Sequence, residues 1–120
     1  MTTGQLTPND VALQLAQLAR DLDATVKALN EAERDAVEKR AAADLALSRA
    51  FLNATGAMDM RKHQSVVETN DKRLDADVAE AVVRHLRRRL DAIKVRIDVG
   101  RSLGAAIRAE IALGGTGYET

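Results

Sequence analysis

The chain contains no cysteine and no tryptophan, and its only aromatic residues are Phe51 and Tyr118. Without cysteine it forms neither disulfides nor thiolate metal sites. Two rings in 120 residues are too few to fill a compact globular interior in the usual way. A single proline, Pro8, leaves all the following backbone free to be helical. No apolar run reaches the roughly 18 residues that a membrane-spanning helix needs, so no membrane partner is expected. The first residues, "MTTGQLTPND", lack the basic start and apolar stretch of a secretory leader. A cytoplasmic protein is therefore expected. Neither sign of charge is in excess: 18 Lys and Arg balance 18 Asp and Glu. That excludes a global electrostatic pull toward nucleic acid.

What is present is alanine, leucine, valine and isoleucine mixed with many charges, a composition that favours long helices joined along narrow seams. Thr7-Pro8-Asn9-Asp10 reads as a helix start. Thr7 can cap, Pro8 suits the first helical position, and Asp10 complements the helix dipole. The next strong breaker is Gly56, which suits a left-handed helix C-terminus. Asp59 then lies near the start of a second helix, weakly capped because Ala57 and Met58 offer no side-chain oxygen. "GGTG" at 114–117 is expected to end it. The expected fold is all-α: a disordered N-terminus over 1–7, a helical hairpin domain over 8–113, and a flexible tail over 114–120. Its helices would cover 8–54 and 58–113, with the turn near 56. At about 1.5 Å per residue they would be roughly 70 and 80 Å long.

Apolar spacing supports a coiled coil. Val11, Leu15, Leu18, Leu22, Val26 and Leu29 recur at steps of three and four, and the stripe thins to Ala36, Val37, Ala41, Leu45 and Phe51. Leu86, Leu90, Ile93, Ile97, Gly100, Gly104, Ile107 and Ile111 alternate four and three, which is a heptad seam. Upstream, Leu74, Val78, Val82 and Leu86 run at steps of four, a local stutter. In a hairpin turning near Gly56, residue i faces about residue 112 − i. Leu22 then meets Leu90, Val26 meets Leu86, Val37 lies by Leu74, and Leu45 by Val67. Because two helices alone bury a single seam, a homodimeric four-helix bundle or higher oligomer is expected.

Gly100 and Gly104 occupy seam positions where a large residue is expected, each at a cost of about 1 kcal/mol of helix propensity. Either another helix approaches closely there, or large residues opposite, such as Val11 and Leu15, fill the space. With helix one starting near residue 8, Ile107, Ile111 and Leu113 would overhang. Gly100, Gly104, Ile107 and Ile111 are therefore the candidate interface for self-association or for a protein partner.

Residues 84–108 carry net charge +6 within a neutral chain. Arg87, Lys94, Arg101 and Arg108 fall at e positions of the seam, and Arg89 and Arg96 at g, where ion pairs and packed stems are usual. The alternative is contact with phosphates, for which Arg84, Arg87, Arg88, Lys94, Arg101 and Arg108 are the candidates. No aromatics are interleaved for base stacking. His63 and His85 have no partner at metal-ligand spacing, and Ser48, Ser65 and Ser102 have no neighbouring base. No catalytic residue, metal site or cofactor is expected.

The stretches "LSRAFLNATGAMDMRKHQSVVETNDKRLDADVAEA" and "LDAIKVRIDVGRSLGAAIRAEIALGG" resemble small coiled-coil proteins of tailed phages and prophages. The likeness covers about residues 45–115. It rests on Ala50, Leu52 and Gly56 at the turn, Arg61 and Lys62 after it, and Ser102, Arg108, Glu110 and Leu113 near the end. Where members have Ser or Thr after the turn glycine, this chain has Ala57. The resemblance implies no catalytic residues. It implies a non-enzymatic accessory protein acting through protein contacts, in DNA recombination or replication. An inhibitor of a host or defence protein, and a virion assembly scaffold, are the alternatives.

Overall fold

The computed structural model describes residues 6–118, with side chains placed for 6–114. The described residues form three helices and no strand: α1 (Pro8–Asn53), α2 (Met58–Glu68) and α3 (Asn70–Tyr118). None of these helices is long and apolar enough to cross a membrane.

The start of α1 is a reciprocal capping box. The Asp10 backbone N–H donates to Thr7 Oγ1 at 3.1 Å, and the Thr7 N–H donates to Asp10 Oδ2 at 3.0 Å. Two donors that a helix start leaves unpaired are thereby satisfied. These bonds hold the Asp10 carboxyl below its ordinary pKa, the Thr7 backbone bond contributing most. At the other end, Gly56 has φ +106°, a backbone conformation that L side chains avoid. Ala57 precedes α2 without a side-chain cap; Asp59 in the first turn complements the dipole instead.

Two expectations about the second half change. It is not one helix over 58–113, because Thr69 interrupts it with φ −105° and ψ 11°. The Thr69 hydroxyl donates to Ser65 O at 2.8 Å, and its backbone N–H also reaches Ser65 O. Hydroxyl back-bonding of this kind competes with the helical ladder. Nor does the helix stop at 113: helical backbone continues through Gly114 to Tyr118, since glycine weakens a helix without blocking it. Of the N-terminal segment expected to be disordered, residues 1–5 lie outside the described residues.

The expected single domain is two compact units. One joins the chain up to Val26 with the chain from Arg88 onward; the other is Lys27–Arg87. In the first unit, the two helical stretches pair antiparallel. Val11 and Ile93 are buried, with Leu15, Leu18, Leu22, Leu90, Ile97 and Ile107 half-buried. Thr25 is buried too, its hydroxyl donating to Asp21 O at 2.7 Å. The seam of large residues expected here is present, except that Val26 is exposed. Its register is shifted: Leu15 sits at Gly100 and Val11 at Gly104, about three residues further along α3 than the 112 − i rule places them.

In the Lys27–Arg87 unit, α1 folds back on α2 and the start of α3. The buried residues are Leu29, Ala36, Ala43, Ala50, Ser65, Thr69, Ala76, Ala79 and Val83. The expected partners Val37 and Leu74, and Leu45 and Val67, are all exposed, as are Val78 and Val82. After Leu29 the seam therefore continues through the small residues Ala36, Ala43 and Ala50, spaced by sevens, in place of the large ones beside them. Alanine lets two helices approach closely, and every added methylene would force them apart. Val37, Leu45, Leu52, Leu74, Val78 and Val82 are left on the outside.

Candidate interaction surfaces

In the first unit, a Cβ built on Gly100 would lie 2.8 Å from Leu15 Cδ2, and one on Gly104 would lie 3.3 Å from Val11 Cγ1. The space vacated by each glycine is thus filled by a large residue of the same chain. Ile107 is correspondingly less bare than the overhang reading implied. It is half-buried and lines a groove with Leu6, Thr7, Pro8 and Ile111. The three-residue register shift explains this, because it brings the start of α1 up to Ile107. Ile111 and Leu113 remain exposed.

The candidate phosphate-contacting residues of this unit, Arg88, Lys94, Arg101 and Arg108, are all exposed. Lys94, Arg101 and Arg108 are spaced by sevens, so they share one side of α3 about 10 Å apart along it. Arg101 and Arg108 border a small cleft with Val11, Leu15 and Gly104, so their stems pack beside the seam as flanking positions do. A second groove, of about 450 Å³, is lined by Leu15, Leu18, Val95, Val99 and Leu103. The sequence reading did not single it out, although Val95, Val99 and Leu103 recur at steps of four.

In the Lys27–Arg87 unit the polar centre is Arg40. Its guanidinium donates to Glu80 through Nε at 3.0 Å and Nη2 at 2.6 Å, and Nη2 also reaches Asp77. A forked guanidinium matches a carboxylate in this way. The Arg40 pair holds Glu80 below its ordinary pKa and raises that of Arg40. Arg87 donates to Glu33 at 3.3 Å, so one of the candidate nucleic-acid contacts has an acid from its own chain. Arg84 is exposed and lines a groove of about 670 Å³ with Val37, Ala41, Asp44 and Val83. Near the turn, Arg61 caps the end of α1. It donates to Phe51 O at 3.2 Å while its guanidinium stacks 4.7 Å from the Phe51 ring centre. Arg61 is therefore a structural clasp on the end of α1.

His63 and His85 are exposed, and no group of three or more His, Asp or Glu among the described residues is placed to hold a metal ion. The grooves described above are lined by aliphatic side chains and rimmed by charged ones. Comparison with protein-family models, curated proteins and solved structures finds no match to the chain.

Proposed function

We propose that this chain is a non-enzymatic accessory protein of a phage or prophage, working in the host cytoplasm through protein–protein contacts in DNA recombination or replication. It self-associates, docks a protein partner at Ile107 and Ile111, and makes auxiliary nucleic-acid contacts through its exposed arginines and lysine. The observation that carries this reading is the placement of large aliphatic residues on the outside of both units: Val95, Val99 and Ile111 in the first, and Val37, Leu45, Leu52 and Leu74 in the Lys27–Arg87 unit. Exposed aliphatic surface of this extent on a charged helical protein is the usual mark of a contact surface.

Affinity capture from infected cells tests the reading, comparing wild type with the double variant Ile107→Asp, Ile111→Asp. Recombination or replication proteins that are retained by wild type and lost by the variant support it. Capture of a host enzyme or defence factor would make the chain an inhibitor, and capture of capsid or tail proteins a scaffold. For the nucleic-acid part, anisotropy with labelled DNA should show binding that weakens steeply with salt. Replacing Lys94, Arg101 and Arg108 together by Gln should flatten that slope. No binding at low salt removes DNA from the proposal.

A further inference from the structure

The side of α1 that faces away from Ala36, Ala43 and Ala50 carries a second stripe: Val37, Ala41, Leu45, Ser48 and Leu52. Val37, Leu45 and Leu52 are 70%, 51% and 73% exposed. Val37 and Ala41 line one groove of the Lys27–Arg87 unit, and Ser48 and Leu52 line another of about 550 Å³. From Ala41 onward the steps are four, three and four, the spacing of a helix–helix seam. Within the Lys27–Arg87 unit α1 therefore carries two stripes, and the unit buries only the alanine one.

We infer that the second stripe is the contact between two copies of this chain, which pair antiparallel along α1 about a two-fold axis near Leu45. Self-complementarity is the argument. Read in either direction, the stripe runs large, small, large, small, large. A two-fold axis at Leu45 sets Val37 against Leu52 of the second copy, Ala41 against Ser48, and Leu45 against itself. An isologous interface requires this kind of match. The flank agrees. Glu38 and Arg49 lie along the same edge of the stripe, both exposed, and neither joins an ion pair among the described residues. The same axis brings Arg49 of each copy within about one helical turn of Glu38 of the other, so the pair forms twice. On the opposite edge Asp44 approaches its own symmetry mate. It is the one like-charge contact, and its removal should tighten the dimer. A partner of unrelated sequence would not call for a palindrome of size together with a reciprocal charge pair.

The inference rests on the self-association part of the proposed function and leaves Ile107 and Ile111 for another protein. Light scattering should give the mass of two chains for wild type and of one chain for Leu45→Asp, with helicity by circular dichroism unchanged because Leu45 packs outside the core. Glu38→Arg and Arg49→Glu should each weaken association several-fold, and the two together should restore it. Asp44→Asn should strengthen it. The absence of native cysteine allows a direct probe: Leu45→Cys should cross-link to itself on mild oxidation and Ile111→Cys should not. A dimer indifferent to Leu45→Asp, with cross-linking at 111 and none at 45, overturns this interface but leaves self-association standing. Wild type that stays a single chain at sub-millimolar concentration overturns both.

Discussion

The two units solve the same problem, joining two antiparallel helical stretches, with different residues. The unit containing Val11 and Ile93 uses aliphatic knobs and lets two glycines receive Leu15 and Val11. The Lys27–Arg87 unit uses alanine, with Ala43 1% and Ala76 0% exposed. Burying a leucine or isoleucine stabilises by about 1.5–3 kcal/mol, whereas a methyl group contributes about 0.8. The alanine seam therefore yields less from its own burial and leaves its large residues outside. It adds the Arg40 ion pairs, but solvent screens partly exposed pairs and leaves them a small contribution. An alanine seam thus gives close approach rather than stability, and the missing burial is available on the outer faces.

The comparison can be broken by substitution. Ile93→Ala removes the most deeply buried large residue of the first unit and should cost about 2–5 kcal/mol in denaturant unfolding. Val78→Ala, on the outside of the second, should cost within about 0.5. Equal costs would erase the distinction. The reverse change sharpens it. Ala76→Leu should destabilise by about 1–3 kcal/mol through overpacking, despite raising helix-forming hydrophobicity, and a stabilised variant would mean that the alanine seam has room to spare.

The smallest effect concerns acid. The Glu80 pKa is depressed in the folded state by Arg40, so its contribution is present above the ordinary glutamate value and is lost as pH falls through the depressed one. Residue-resolved hydrogen exchange should show faster opening around Arg40 and Glu80 below about pH 4.5. Glu80→Gln should open faster at neutral pH and lose that acid dependence. Asp10 has the same sign at the start of α1, so its capping box should loosen in acid independently of Glu80→Gln.

Local punctuation was legible. Thr7, Pro8 and Asp10 mark the start of α1, and Gly56 has the positive φ that its position predicts. The large-residue seam of the first unit was legible as well, because only one apolar stripe exists on that part of α1. In the Lys27–Arg87 unit two stripes compete. Periodicity weighted by size selects Val37, Leu45, Leu74, Val78 and Val82 and, with them, Ala36; the fold buries Ala36 but leaves the others outside and buries Ala43, Ala50, Ala76 and Ala79 instead. The signal that could have found the buried stripe is the run of sevens from Leu29 to Ala50. The Thr69 break had a weaker mark, a hydroxyl four residues after Ser65 and able to bond back to it.

By itself, then, the sequence determined that the chain is helical, where α1 begins, and where it turns. Those are decisions made within one or two helical turns, by capping oxygens, a proline ring and a missing Cβ. Which of two apolar stripes faces inward, the register of α3 on α1 within the first unit, and what fills the space at Gly100 and Gly104 were settled by packing. Those outcomes depend on how closely two helices can approach, and that distance is set by the side chains of both at once.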